Sequence, residues 1–573
     1  MFPAATFRMT IRCPWHHQVR CSSAAPETPK GGQPLPRRRS ANYQPSSWDY
    51  DALLSLKGRD GRDLELSPCY DKLKDSIMDL MHSKAEPYCK LKAIDTMQRL
   101  GISYHFEQEI SRVLNSMSME NADDRHMDDI ALTALKFRLL RENGFPTDQE
   151  TLRCHNIESR CVKMTLQKDV DGLLSLYEAS CLAYGDEEIL DVARTFSAGA
   201  LKELMPSMLP QLRKRVALDL ELPLHWRAPR LETRLSIDRN ANNISMCPLL
   251  LQFAKINFNM VQDVHQQDLS TVTRWWRHTA LGEKLTFARD RLMECFYYAT
   301  GIVWEPNTGT CREMLAKVSC LIVHLDDVYD VFGTMDELVL FTDAIGRWDT
   351  NPSDALPEYM KALYSVIYNT SNEVADHALK EHGCSMHSLL QKAWHDISMA
   401  FLMEAKWYYG NHRPSLQEYL ENGWVSSSAP LLLLHAFPMS NSYDNMNTIA
   451  QIQNNPRLVQ SASLILRLCN DSATHSAELQ RGDAPSSIAI HMSENGSNEQ
   501  DSRKAMKDLI LKSWKIINQE AFDVCQFSKP FTKACVNLAR ISHCIYHGGD
   551  GFGSSSDLKT KQIKQLFLEP IEV

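Results

Sequence analysis

From Trp48 onward, apolar residues recur three and four positions apart, the spacing that lays one apolar stripe along an α-helix. Ala93–Ile102 is one such segment, and Gly101 marks its stop. Thr133–Arg141 and Gly172–Ala179 repeat the theme. Regularly spaced strand-like runs are absent, so the pattern predicts an all-α protein of paired helices. Leu222–Pro229 is rich in Pro and Arg, and Asp238–Asn243 is polar; together they read as a link between helices. The expected boundary between two helical halves lies near residue 246. A chain of 573 residues is too long for one ordinary domain.

Composition narrows the class without naming a chemistry. A hydrophobic content of 43% suits a globular protein, and a net charge of −9 argues against nucleic acid as a partner. Pro430–Leu434 typifies the apolar stretches, which are far too short to span a bilayer. The 16 cysteines show neither paired metal spacing nor a disulfide framework, as a reducing compartment would allow. Residues 1–36 differ from the rest. Arg8, Arg12, Arg20 and Lys30 face one acid, Glu27, amid Ser, Ala, Pro and Thr. That composition fits an organelle transit segment, plastid or mitochondrial, with an unaddressed tail as the alternative.

Two oxygen-rich clusters carry the candidate chemistry. The first is Asp326-Asp327-Val328-Tyr329-Asp330, read as one helical turn with Asp326 and Asp330 on one face and Asp327 beside them. An isolated acidic pentad is commonly a solvated helix face. This one follows the largely apolar run Cys320–Leu325, where carboxylates are costly unless paired or metal-bound. The second cluster places Asn470, Thr474 and Glu478 at four-residue steps on another helix. All six are hard oxygen ligands, which suit Mg²⁺ shared with a substrate phosphate. Two such helices face to face would hold metal open toward a diphosphate.

These residues resemble the aspartate-rich and Asn/Asp-Asp-x-x-Ser/Thr-x-x-x-Glu motifs of plant class I terpene synthases. Arg38-Arg39, followed at the family's spacing by Trp48, is similar to the paired-arginine motif of the monoterpene subgroup, and Tyr43–Asp49 surrounds it in the family's manner. Arg289-Asp290-Arg291, Met403–Trp407, Arg481–Asp483 and Gly548–Gly553 are further landmarks. The resemblance implies an N-terminal α-barrel-like domain over 37–246 and a C-terminal catalytic α-bundle over 247–573, behind a plastid transit peptide. It implies three Mg²⁺ ions, or Mn²⁺, on Asp326, Asp330, Asn470, Thr474 and Glu478, with Asp327 in a lesser role. Arg289 and Arg467, then Arg291, would join Asp326, Asp330 and Asn470 around the diphosphate. Trp304, Tyr329, Trp424 and Tyr546 would line the pocket and steady a carbocation through their ring faces. Arg38, Arg39 and Trp48 would close the site and accompany isomerisation to a linalyl form; a processing site at Arg37–Arg39 is the plainer reading.

The activity so implied is ionisation of geranyl diphosphate to a cyclic monoterpene in the chloroplast stroma, by a monomer or weak homodimer. Alternatives are an acyclic product of the linalool or ocimene type, a sesquiterpene synthase acting on farnesyl diphosphate, and a non-catalytic isoprenoid-diphosphate binder. A chain-elongating prenyltransferase would carry a second aspartate-rich pentad. Protonation-initiated cyclisation needs Asp-x-Asp-Asp, and His126-Met127-Asp128-Asp129 lacks the first Asp. Three departures from the family pattern stand out: Ser486 where a diphosphate-contacting Lys is common, Ala429 where a Gly often accompanies a helix break, and His324 where a Thr is frequent. His324 reads as a buried, hydrogen-bonded residue, with a pocket base as the alternative.

Overall fold

Of the three forecast segments, Thr133–Arg141 and Gly172–Ala179 lie within the helices Ile130–Glu142 and Val170–Ser180 of the computed structural model, and Ala93–Ile102 runs through the end of the helix Pro87–Arg99, which stops just before Gly101. The structure describes residues 38–58, 68–82, 86–119, 129–153, 169–351, 354–439, 457–523, 527–553 and 557–573. The basic segment read at 1–36 lies outside them, as do Arg37 and residues 126–128. Every regular element among the described residues is helical, and Arg39–Val573 form one compact unit.

Buried charge ties the first helices together. Arg99 meets Asp95 at 2.9 Å and Glu178 at 2.6 Å, and Arg138 also pairs with Asp95. Asp129, the last residue of the incomplete acidic motif, caps its helix by accepting from the amides of Ala131 and Leu132. The expected link is shorter than its composition suggests. Leu224–Trp226 form a single tight turn, and a helix runs over Pro229–Asn240, taking in Asp238, Arg239 and Asn240. Pro229 opens that helix at its first turn, where no amide is needed.

The helices that matter for the site are α1 (Pro248–Thr279), α2 (Leu292–Ile302), α3 (Gly309–Asp327), α4 (His387–Tyr409), α5 (Leu416–Ser426), α6 (Ala429–Ala436), α7 (Arg457–Arg481) and α8 (Lys529–Tyr546). α3 is central: its residues are buried nearly all round, and α1, α2 and α6 pack on it. Buried Arg312 anchors its start, donating to Asp268 of α1 at 2.9 Å and to the carbonyls of Val303 and Glu305. α7 packs against α5, α6 and α8. α3 and α7 are not closely packed on each other; both line the cavity between them.

The break between α5 and α6 follows from Pro430, whose ring cannot follow an uninterrupted helix. Ser428 absorbs the turn in the left-handed region at φ 73° and is buried there. Ala429 starts the next helix, fully buried. The break survives without glycine because serine, not Ala429, takes the strained conformation.

Candidate active site

The pentad lies where α3 changes character. The α-helix ends at Asp327, and Val328–Phe332 form a π turn that Gly333 closes by donating to the Val328 carbonyl at 2.8 Å. The single α-turn expected at 326–330 is therefore widened by one residue, as π segments often are at functional sites. Asp327 is fully buried and committed to Arg289: its Oδ2 accepts from the Arg289 amide at 2.7 Å and from Nε at 3.1 Å. The same guanidinium also reaches Asp326. Asp327 thus orients Arg289, which leaves Asp326 and Asp330 as the outward carboxylates of the pentad.

On α7, neighbouring residues divide the work. Asp471 turns inward, accepting from Tyr419 Oη at 3.0 Å and from the Ser487 amide at 3.0 Å. Asn470, Thr474 and Glu478 share another face. The Thr474 hydroxyl donates to the Asn470 carbonyl at 3.0 Å, keeping its oxygen available as an acceptor. Arg467 donates to Ser426 at 2.8 Å and stands 3.6 Å from Glu404. Gly423 leaves room for it: a Cβ there would sit 3.3 Å from Arg467 Cγ.

The cavity between the helices measures about 120 Å³, room for several waters or a short hydrocarbon chain rather than a single water. Its polar lining includes Arg289, Asp326, Arg467, Asn470 and Asp550, and its apolar lining Ile322, Val323, Phe401, Leu432 and Leu466. Asp330, Thr474 and Glu478 lie one or two turns farther along the same helices and are not among the lining residues. Of the four expected aromatics, Tyr546 lines the cavity, with its hydroxyl beside Asn470. Trp304, Tyr329 and Trp424 do not. Tyr329 is buried against Phe341 and Phe401 and bonded to Thr342, and Trp304 packs edge-on against Tyr104. Half-buried Trp424 accepts at its carbonyl from Ser427. Tyr298, Phe401 and Phe552 take the lining positions instead.

Electrostatics favour a cation at the polar end. Burial pushes the Asp326 carboxyl up against the pull of Arg289. Asp330 reaches the surface, yet loss of hydration in its crowded surroundings and the charges of Asp326 and Glu404 push it well up. Burial and Asp471 push Glu478 up to about 8. Among the described residues no three His, Cys, Asp or Glu side chains cluster tightly enough to cage an ion unaided. The site fits Mg²⁺ in a different way, by carboxylate, amide and hydroxyl oxygens that leave positions for water and phosphate oxygens.

The N-terminal strand covers this end. Arg39 donates to the Asp330 carbonyl and to Asp483, and Tyr43 lies under Arg289, 4.9 Å from ring centroid to guanidinium. Trp48 Nε1 donates to buried Glu294 at 3.0 Å, and Tyr50 to Asp290 at 2.5 Å. Arg291 is buried and spent on carbonyls, joining Gln44 of the strand at 3.2 Å to Phe552 of the C-terminal loop at 2.8 Å. It clamps two covering segments and is not among the lining residues. Arg38 is half-buried at the start of the described residues. Asp290, Glu294, Glu404 and Asp483 had no expected role, although Asp290, Glu404 and Asp483 sit inside landmark motifs. Two of the odd positions are explained. His324 is buried, bonded to the Cys320 carbonyl at 2.9 Å, and lowered by burial to about 4. Ser486 is buried and bonded to His475 Nδ1 at 2.7 Å.

Two family models match the chain: terpene synthase, N-terminal domain, over residues 47–220, and terpene synthase family, metal binding domain, over residues 277–516. The chain is 44% identical over 539 residues to (−)-alpha-terpineol synthase of Vitis vinifera, covering 93% of this chain and 91% of that protein. It is 40% identical over 560 residues to the chloroplastic alpha-thujene synthase of Litsea cubeba, covering 97% of this chain and 95% of that protein. The structure of limonene synthase with 2-fluorolinalyl diphosphate is similar at a TM-score of 0.88 and 36% identity, covering 94% of this chain and 100% of that one. Isoprene synthase from grey poplar leaves, in complex with three Mg²⁺ ions and dimethylallyl-S-thiolodiphosphate, gives 0.83 and 40%, covering 92% and 99%. With an oxygen-donor site between two helices and both family models matched, this chain belongs to the plant terpene synthases, class I lyases that act on prenyl diphosphates and use a divalent metal.

Proposed function

We propose that the chain is a monoterpene synthase that ionises geranyl diphosphate and releases diphosphate and a cyclic monoterpene. The observation that carries this reading is one cavity lined both by Asp326 of α3 and Asn470 of α7 and by the apolar side chains of Ile322, Val323, Phe401, Leu432 and Leu466. Relatives named for ten-carbon products over nearly the whole chain support it.

In this reading Asp326, Asp330, Asn470, Thr474 and Glu478 hold Mg²⁺ or Mn²⁺, three ions in all. The metal would supply Lewis acidity toward the leaving diphosphate. Arg289, held by Asp327, and Arg467, held by Ser426 and Glu404, present permanent positive charge to the same oxygens. Arg39, Trp48 and Arg291 keep the N-terminal strand over the polar end and exclude water while the cation lives. Tyr546 and Phe401 border the space where the hydrocarbon would fold. Residues 37–246 form the covering domain and 247–573 the catalytic one, and 1–36 serve as a plastid transit segment, the address in the name of the alpha-thujene relative. No described helix is long and apolar enough to cross a membrane.

The test offers geranyl and farnesyl diphosphate separately, with Mg²⁺, and identifies volatile products by gas chromatography with mass detection. Ten-carbon cyclic products from geranyl diphosphate are expected. Fifteen-carbon products alone would move the substrate to farnesyl diphosphate.

A further inference from the structure

His543 and Tyr546 lie three residues apart on α8 and so share a face. They meet consecutive residues of α7: the Tyr546 hydroxyl lies beside Asn470, and His543 Nδ1 stands 3.4 Å from Cys469 Sγ. The other ring nitrogen decides the chemistry of that contact. His543 Nε2 is 3.0 Å from Trp514 Nε1, and an indole nitrogen can only donate. Nε2 therefore carries the lone pair. Burial lowers the imidazole to about 3, so it holds one proton, and that proton sits on Nδ1, directed at the sulfur. The residue just before Asn470 is thus held by a tautomer that Trp514, on the helix Glu499–Asn518, dictates.

The same ring is fixed from the turn Leu224–Trp226. Trp226 stacks on it with centroids 4.6 Å apart and planes 12° from parallel. That turn is tied in on both sides: His225 Nε2 lies 2.8 Å from Asn518 Oδ1, and the His225 carbonyl accepts from Arg540 Nε at 2.9 Å. Arg540 is itself three residues before His543 on α8. Packing alone would be served by a phenylalanine at 543, but a phenylalanine would leave Trp514 without an acceptor and Cys469 without a donor.

We infer that His543 is a positioning residue for the metal: its Nδ1–H fixes the setting of α7 at Cys469, so that Asn470, the next residue, keeps the place from which it would hold the ion. The inference rests on the proposed reading of Asn470 as a metal ligand. Trp514 and Trp226 act on that ligand through the His543 ring, one by choosing its tautomer and the other by holding its plane. Tyr546, one turn farther along α8, meets the Asn470 side chain itself.

The experiment titrates Mg²⁺ calorimetrically in the presence of inorganic diphosphate, beside thermal melts, for the full chain and for His543→Asn, His543→Gln and His543→Phe. An asparagine amide puts a donor near the place of Nδ1, and a glutamine amide puts an acceptor near that of Nε2. His543→Asn should keep Mg²⁺ affinity within about twofold of wild type, whereas His543→Gln and His543→Phe should weaken it about fivefold, the worth of one hydrogen bond. All three should melt lower. Cys469→Ala removes only the acceptor and should weaken Mg²⁺ as His543→Gln does, which decides the matter even where a His543 variant does not fold. Affinity that follows the melting midpoint rather than the Cys469 bond, or that is unchanged in His543→Gln and Cys469→Ala, would overturn the inference and leave the metal reading standing. No Mg²⁺ binding by the wild type with diphosphate present would overturn that reading, and the inference with it.

Discussion

Arg39 donates to the backbone carbonyl of Asp330 at 2.8 Å, although the two are 291 positions apart. Its other nitrogen meets Asp483 at 2.7 Å, just beyond α7, and its guanidinium lies 4.2 Å from the Tyr408 ring. One side chain thus latches the N-terminal strand to the π turn after α3 and to the segment after α7. Hydrogen bonds to charged groups contribute about 1.5–3 kcal/mol, so Arg39→Ala should lower kcat/KM at least about tenfold. The thermal midpoint should hold nearly steady, because the latch is half-exposed. Arg39→Lys should recover only part, since an ammonium lacks the planar fork. Steady-state kinetics beside thermal melts check this, and an unchanged kcat/KM would remove the latch from the account.

Trp48 and Glu294 make a second fastening, one that stability reports. Glu294 is buried, one of its oxygens has no partner, and burial raises its carboxyl while the Trp48 bond lowers it. A carboxyl raised in the fold stabilises below its unfolded value and loses that contribution as pH rises. Trp48→Phe removes the largest effect that lowers it, so the variant should be less stable by about 1–3 kcal/mol, with a larger deficit at about pH 8 than at about pH 5. Urea unfolding at both values decides it. A deficit independent of pH would mean that lost packing, not the hydrogen bond, is responsible.

Metal affinity should rise with pH. Burial and Asp471 hold Glu478 up to about 8, and Asp326 and Asp330 are raised as well. Raised carboxyls carry protons at lower pH and must lose them to bind metal. Apparent Mg²⁺ affinity should therefore strengthen between about pH 6.5 and about pH 8.5, with proton release on binding. By the same sign, the metal-free protein should lose stability as pH climbs toward the raised values, and Mg²⁺ should restore it most at the alkaline end. Calorimetric titration in buffers of different ionisation enthalpy counts the protons, and no release at about pH 7 would contradict it.

Ser486 is a structural residue rather than a vacancy waiting for a cation. Its hydroxyl bonds to His475, and the next amide holds Asp471 at 3.0 Å. Ser486→Lys would bury an ammonium and break the contact to His475. A drop of several degrees in thermal midpoint with no gain in kcat/KM is expected. A gain in kcat/KM would show that the missing lysine limits this enzyme.

The helices and the oxygen-rich faces of α3 and α7 were legible because both depend on local spacing: apolar residues three and four apart, and oxygen-bearing side chains four apart. What was not legible depends on partners far along the chain. Arg291 was expected, behind Arg289 and Arg467, beside the diphosphate, but its acceptors lie 247 and 261 positions away. Asp327 had only a lesser expected role at the metal, and the Arg289 it holds lies 38 positions away. The π turn at 328–332 leaves no periodic signal, since one added residue per turn does not alter composition. Aromatic residues were the least legible. Ring hydrophobicity is the same in a core as in a cavity wall, so Tyr329 went to the core and Phe401 to the cavity.

The most direct test of the central claim, that α3 and α7 act together on one metal-bound diphosphate, is diphosphate release from geranyl diphosphate as a function of Mg²⁺. It is measured for the full chain, Asp326→Asn and Glu478→Gln, with circular dichroism confirming the fold of each. Losing either ligand should lower the rate by about a hundredfold or more and move half-saturation to higher Mg²⁺, and chelator should abolish release in all three. A variant on either helix that keeps wild-type metal dependence, or release that survives chelation, would contradict the account.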